Sequence, residues 1–137
     1  MKKLILILLF STVMFSSSSY AEWWKMGKNV DGTTFYVDFE RIRKNDGYVY
    51  SWELTDLLKP NKWGYLSVKM YKQDDCKLFR IKRLSSSHHK EPMGGGTGTT
   101  NNVPDKEWTY PPPNSVYEFT LKQVCEYVKI VGERVSD

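Results

Sequence analysis

The chain has 137 residues, a formal net charge of +4 and an aromatic content of 15%. Basic and acidic residues are mixed along it without long blocks of one sign, so the composition gives no reason to expect a nucleic-acid partner. No uninterrupted apolar stretch reaches the roughly 20 residues that a membrane-spanning helix requires. These features favour one exported or soluble domain over a nucleic-acid-binding or membrane-spanning protein.

Residues 1–21 have the order of a secretory signal peptide. Two lysines precede an apolar run from Leu4 to Phe10, and a serine cluster then leads to Ala21. A charged start, an apolar middle and small residues at the end are typical of such a segment. The order predicts export and cleavage between Ala21 and Glu22.

The predicted mature chain, residues 22–137, is a single domain. It has 137 − 21 = 116 residues, and its formal charge falls from +4 to +2 because Lys2 and Lys3 are removed. A lipid anchor on the new N-terminus would require a cysteine where Glu22 stands. Since the apolar runs are also too short to span a membrane, we expect no transmembrane segment in the mature chain. We expect it in the periplasm, at the cell surface or outside the cell.

Five segments of the mature chain are predicted β-strands. Each is rich in aromatic and β-branched residues, and turn formers such as Asn45-Asp46-Gly47 separate them. Because the connections are short, neighbouring strands should be antiparallel and form a sheet of about five to six strands. The segments are 22–29, 33–43, 47–58, 64–75 and 76–89, with a further candidate at 106–110.

The apolar residues of these segments alternate with a period of two, which indicates strands and not helices. Three sets of side chains should each share one strand face. They are Phe35, Val37 and Phe39; Tyr48, Tyr50, Trp52, Leu54 and Leu58; and Leu66, Val68 and Met70.

The only strong helix signal follows the proline run 111–113. Ser115 can cap the first turn, and Glu118, three residues later, completes a capping box. Apolar residues recur at helical spacing and form a stripe that includes Cys125. The stripe is Tyr117, Leu121, Val124, Cys125, Val128 and Val131. A sheet with one face covered by one C-terminal helix is an α+β fold.

The chain contains two cysteines, Cys76 and Cys125. In an exported protein the default is a disulfide between them, which would tie the buried face of the helix to the sheet. A reactive or metal-binding thiol is the alternative, but no second cysteine or paired histidine lies at metal-ligand spacing. We predict the disulfide and no metal site.

The stretch "HKEPMGGGTGTT", residues 89–100, resembles a phosphate-binding loop only in its glycine content. It lacks G-x-G-x-x-G and has no Gly-Lys-Ser/Thr, so a mobile surface loop is the better interpretation. His88 and His89 point to opposite strand faces and cannot chelate one metal. With no G-x-S-x-G motif either, no catalytic residue is predicted, and an envelope hydrolase is the least favoured function.

Arg80 and Lys82 are the candidate binding residues. Spaced by two on a strand, they should share a solvent face, where they could attract an anionic partner. The alternative is an ordinary solvated face whose basic residues protect a sheet edge.

Several stretches together point to a family. They are "DGTTFYVDFERIRK", "YVYSWELTDLLKP", "YKQDDCKLFRIKRLSSS", "EPMGGGTG" and "EWTYPPPNSV", followed by a cysteine in a terminal helix. In these stretches the chain, from Trp24 to Cys125, resembles the surface-adhesin protein E family of small exported bacterial proteins. The most specific parts are Asp75-Cys76, the Pro-Met-Gly turn at 92–94 and the proline run at 111–113.

The resemblance implies an antiparallel sheet with a C-terminal helix held on its concave face by a disulfide. It also implies an adhesin-like, non-catalytic binding module for a protein or glycan, and it allows a homodimer. Characterised members attach to host matrix and plasma proteins, and heme binding has been associated with the fold. Carriage of a small amphipathic or anionic ligand such as heme is therefore the alternative function.

Export can be checked directly on protein purified from the producing cell. Mass spectrometry should find Glu22 at the N-terminus, because the signal segment is removed during translocation. An intact Met1 in a membrane fraction would contradict this prediction.

Overall fold

A computed structural model describes residues 21–132. The predicted signal peptide, residues 1–21, lies outside the described residues except for Ala21. One antiparallel sheet runs in the order β1-β2-β4-β5-β6-β7, with β3 paired to β4, and one α-helix follows. The α+β class is confirmed, with seven strands where the sequence predicts five to six. The elements are β1 Trp24–Lys28, β2 Thr34–Val37, β3 Arg43–Asn45, β4 Tyr48–Asp56, β5 Ser67–Asp75, β6 Arg80–His89, β7 Gly98–Asn101 and α1 Val116–Val131.

The predicted strand 33–43 is divided in two by a short 3-10 turn, Phe39–Arg41. Asp38 starts this turn, and its Oδ1 accepts a hydrogen bond from the backbone N–H of Glu40 at 3.1 Å. Beyond the turn, β3 and β4 form the predicted hairpin. Asp46 and Gly47 both have positive φ, 50° and 79°, as a two-residue hairpin loop requires.

Part of the glycine-rich stretch corrects the sequence prediction. Gly98–Asn101 is not a mobile loop but the edge strand β7, which pairs with the end of β6. Gly98 lies against the ring of His89, where a Cβ atom would come within 2.6 Å of Cε1. The predicted strand at 106–110 contributes only a single bridge, between Thr109 and Ile81.

The C-terminal helix begins where the capping signal places it. Ser115 Oγ accepts a hydrogen bond from the Glu118 N–H at 3.1 Å, while the Glu118 carboxylate accepts one from the Asn114 N–H at 3.2 Å. The second bond comes one residue earlier than in a standard capping box. Within residues 21–132, no helix has both the length and the apolar character needed to cross a bilayer.

The predicted apolar stripe of α1 is confirmed in its centre. Leu121, Val124, Cys125 and Val128 are buried, whereas Tyr117 stays 43% exposed. Together the helix and the sheet form a core whose buried members are Val37, Ile42, Val49, Val124 and Val128.

A disulfide joins Cys76 to Cys125, as predicted, with the two Cα atoms 5.7 Å apart. Cys76 is the first residue after β5 and lies in the turn that leads to β6, which begins only at Arg80. The bond therefore ties the buried face of α1 to one end of the sheet.

Alternation along β4 is confirmed from Tyr48 to Trp52, with an unexpected orientation, whereas Leu54 is fully buried and Leu58 lies beyond the strand and is exposed. Tyr48, Tyr50 and Trp52 share a face, but it is the face away from α1. The intervening residues Val49, Ser51 and Glu53 point to the helix side and are buried. Of the other sets, Phe39 lies in the 3-10 turn and Leu66 lies outside β5.

A buried ion group lies on the helix side of β4 and β5. Lys72 Nζ lies 2.8 Å from Glu53 Oε2 and 3.6 Å from Asp74 Oδ1, and Ser51 Oγ donates a 2.5 Å hydrogen bond to Asp74. Burial opposes the charge of Lys72, but the two carboxylates outweigh it and raise the pKa of Lys72 above its ordinary value. Burial also raises the pKa of Asp74, against the opposing effect of Lys72 and Ser51. The lysine is thus a permanent cation in this group.

Cys125→Ser should lower the free energy of unfolding by about 2–5 kcal/mol, because the disulfide restricts the unfolded chain. Denaturant unfolding of the mature chain measures the difference, and reduced wild-type protein should show a similar loss. Equal midpoints for oxidised and reduced wild type would contradict the stabilising role.

Lys72→Met should cost about 3–5 kcal/mol near neutral pH, because it leaves two buried carboxylates without a cation. Burial already raises the folded-state pKa of Asp74, and the variant lacks the lysine charge that opposes this effect, so stability is lost as pH rises through that pKa and recovers as pH falls. Denaturant unfolding of both proteins at several pH values should show the deficit shrinking towards acidic pH. A deficit that is constant with pH would show that lost packing, and not charge, is its cause.

Candidate binding surface

The sheet face away from α1, here called the open face, carries a row of aromatic side chains. Trp52 and Tyr71 lie opposite each other on β4 and β5 with ring centroids 5.0 Å apart. Tyr50 stacks on Tyr71 at 6.1 Å. All of these rings are partly exposed. The aromatic row consists of Trp52, Tyr71, Tyr50, Tyr48 and Trp108.

Trp108 connects the aromatic row to the predicted cations. Its ring stacks on Tyr48 at 5.7 Å, the guanidinium carbon of Arg80 lies 4.3 Å from its centroid, and Lys82 Nζ lies 4.6 Å away. The neighbouring Thr109 fixes this position, because its backbone N–H and C=O both bond to Ile81 of β6, at 2.8 and 2.9 Å. Trp108 is thereby held beside the start of β6, in contact with Arg80 and Lys82.

The two candidate binding residues, Arg80 and Lys82, therefore share the open face as predicted, but they are not equivalent. Arg80 Nε donates a 2.9 Å hydrogen bond to Asp75, and its side chain is only 21% exposed. No carboxylate in residues 21–132 lies within ion-pair distance of Lys82. Lys82 is the cation of the pair that is available to a partner.

Asp75 fixes the position of Arg80 beside Trp108. Burial opposes its ionisation, but hydrogen bonds from the N–H groups of Leu78 and Lys77 and from Arg80 lower the pKa of Asp75 below its ordinary value. A carboxylate that stays ionised keeps Arg80 oriented along the sheet, with its guanidinium over Trp108.

Arg43 adds positive charge at the other side of the row, since it pairs with Tyr50 in the sheet register. Burial and the neighbouring Tyr50 raise the pKa of Tyr71, and the charge of Arg43 partly opposes this. Tyr71 thus remains a neutral phenol that can donate a hydrogen bond at physiological pH.

Sequence reasoning missed the aromatic row as a surface. Its signal was present in "YVYSW", where aromatic residues alternate at the period of a strand. Trp108 was harder to place, because a single bridge to Ile81 holds its segment and leaves no strand pattern.

The two histidines form serine pairs that bear on the hydrolase alternative. Ser87 Oγ lies 2.8 Å from His89 Nε2, and Ser86 Oγ lies 3.3 Å from His88 Nε2. His89 is 6% exposed, and its Nδ1 has no hydrogen-bond partner among the described residues. Because a catalytic triad needs an acid on that nitrogen, the Ser87–His89 pair lacks its third member.

In the described part of the chain, no three His, Cys, Asp or Glu side chains are grouped to hold a metal ion. Heme or another small amphipathic ligand stays a prediction, as does the homodimer.

Solved structures of protein E from Haemophilus influenzae share this fold. Crystal form II of its protein E is 18% identical, with a TM-score of 0.61, and the match covers 78% of this chain and 89% of that one. Protein E from non-typeable Haemophilus influenzae is 16% identical to this chain, with a TM-score of 0.58. The match covers 83% of this chain and 82% of that one. At such identities the likeness establishes the fold.

A comparison with curated protein sequences finds no match. The sequence model of surface-adhesin protein E, in contrast, matches residues 23–126. That range includes every strand, the disulfide and the first two-thirds of α1. The chain therefore belongs to the surface-adhesin protein E family.

Proposed function

We propose that this protein is an exported, non-catalytic binding module that uses the open face to hold an acidic surface of another protein at or outside the cell envelope. The family is one of surface adhesins, which supports an exported or surface location and a binding role. The observation that carries the proposal is the aromatic row with cations at its end, on the sheet face that α1 leaves uncovered.

The aromatic row is suited to protein recognition. Tyrosine, tryptophan and arginine are enriched where protein interfaces gain most of their affinity, because they offer large, stiff surfaces with polar tips. Here the rings are already in contact with one another, from Trp52 through Tyr71 to Tyr50. Little side-chain entropy would be lost when a partner docks on them.

The charge of the open face selects an anionic partner. Arg43, Arg80 and Lys82 project from this face, and its Asp75 is buried and already paired with Arg80. A positive surface attracts an acidic partner over a distance and orients it before contact. Lys82, with its contact to Trp108, would supply the ion pair at the end of the aromatic row.

The test is capture from envelope and extracellular extracts with the mature chain, followed by affinity measurement with the protein identified. Arg80→Ser combined with Lys82→Ser should weaken binding by at least about tenfold, or ~1.4 kcal/mol. The remaining binding should also depend less on salt, because screening acts on the charges that have been removed.

A double variant on the helix, Lys122→Ser with Lys129→Ser, is the matched control. It removes the same charge from the exposed side of α1 and should leave the affinity within about twofold, because surface charges away from an interface contribute little. Equal losses in both double variants would contradict a site on the open face. If deglycosylation of the partner abolishes binding, the ligand is a glycan and the proposed protein surface is wrong.

Shortening the glycine-rich stretch across 94–98 is not a neutral control. The Gly94 N–H donates a 2.8 Å hydrogen bond to Ser67, and Gly98 belongs to β7. Such a deletion would detach an edge of the sheet.

A further inference from the structure

A cleft of about 390 Å³ lies on the helix side of the sheet, separate from the open face. It opens between the start of α1 and the chain segment 105–112, which runs along β6. The Asp105 N–H bonds to the Arg83 carbonyl at 2.8 Å, and the Arg83 and Asp105 side chains form an ion pair of 2.6 Å. The segment is thus held in place at two points, here and at Thr109, and the cleft between it and the helix is built into the fold.

The walls of the cleft are mainly apolar. They come from the sheet, from the proline run and from the first turn of α1, where the Tyr117 ring meets Phe35 edge-on at 5.2 Å. The wall residues are Met70, Ile81, Pro111, Pro112 and Tyr117. A volume of this size, with apolar walls and a few polar groups, is typical of a small-molecule site.

The polar part of the cleft is Glu53 with Lys72. Glu53 is 2% exposed, and its Oε2 forms an ion pair with Lys72 Nζ at 2.8 Å but accepts no well-directed hydrogen bond from the described residues. An ionised carboxylate oxygen has lone pairs besides the one that faces Lys72, and an N–H donor of a ligand would use them.

The charges around the cleft indicate the sign of that ligand. Two acidic groups, Glu53 and Asp74, lie around the single cation Lys72, and the Arg83–Asp105 pair at the rim is neutral. Burial and the negative charge of Glu53 both raise the pKa of Tyr117, so its phenol stays neutral beside the cleft. A cation with N–H donors would complete both the charge and the hydrogen bonding.

We propose that this cleft binds a compact organic amine, with the ammonium group on Glu53 Oε2 and an apolar body between Met70, Ile81 and the proline run. The inference is independent of the open face, because it uses other residues on the opposite side of the sheet.

The probe is 2-phenylethylamine, titrated into the isotope-labelled mature chain and followed by backbone amide NMR shifts. The amine should produce saturable shifts around Met70, Ile81 and Tyr117. Its neutral analogue 2-phenylethanol and its anionic analogue 3-phenylpropionate should bind at least about tenfold more weakly, because neither places an ammonium on Glu53. Absence of saturable shifts, or equal binding of the alcohol, would overturn the proposal.

Two variants locate the site. Glu53→Gln removes the negative charge and should weaken binding of the amine by about tenfold. Since that change also affects Lys72, a second variant leaves the ion group intact: Thr109→Trp fills the mouth of the cleft from an exposed position that bonds through its backbone. It should abolish saturable binding, whereas Thr100→Trp, the same change on β7, should not. Unchanged amine binding by the Thr109 variant would place the ligand elsewhere.

Discussion

A single helix cannot cover this sheet. Six strands in the hydrogen-bonded order span about 24 Å at their usual spacing, whereas a helix with its side chains is about 10–12 Å wide. The Cys76–Cys125 bond and the core around Val37, Val49 and Val124 fix α1 over one half of the sheet. Two features follow from that shortfall: segment 105–112 shelters β6, and a cleft remains between this segment and the helix.

The buried ion group belongs to this boundary between covered and uncovered sheet. Lys72, Glu53 and Asp74 lie on the helix side but at the limit of the helix's apolar cover. Apolar residues of similar size would often be equally or more stabilising at such a position, so stability alone gives no reason for three charges there. A ligand in the cleft that Glu53 and Lys72 line would give these charges a role.

Much of the fold could be predicted from local signals. The hairpin at Asp46-Gly47, the cap at Ser115 and the stripe around Val124 depend on a few adjacent residues, and all were found where the sequence indicates. The disulfide followed from the count of cysteines and the predicted export. The extra strand β7 was missed because Gly98–Asn101 has no apolar alternation; its pairing with β6 depends on the backbone and on contact with His89.

The candidate surface was predicted only in part, and for a physical reason. Arg80 and Lys82 were found from their spacing, but the aromatic row was assigned no side of the sheet. In β4 the aromatic residues alternate with Val49, Ser51 and Glu53, and an isolated strand pattern would bury the former and expose the latter. In the structure Ser51 and Glu53 are buried instead, because they pair with Asp74 and Lys72 on the neighbouring strand. No single segment of the sequence shows that pairing.

The contact of Gly98 with His89 sets a limit on how this family member can vary. The sequence of the glycine-rich stretch 94–98 resembles a uniform linker that would accept any small residue, yet its positions differ in the side chains that they tolerate. At Gly95 the nearest side chain to an added Cβ is the flexible end of Glu91, at 3.1 Å, while at Gly98 it is the ring of the buried His89, at 2.6 Å. Gly94 and Gly96 are restricted in another way, because their φ values of 71° and 69° favour glycine. Among the glycines of this stretch, drift in sequence should therefore be tolerated at Gly95, whereas Gly98 should be retained together with the last strand of the sheet.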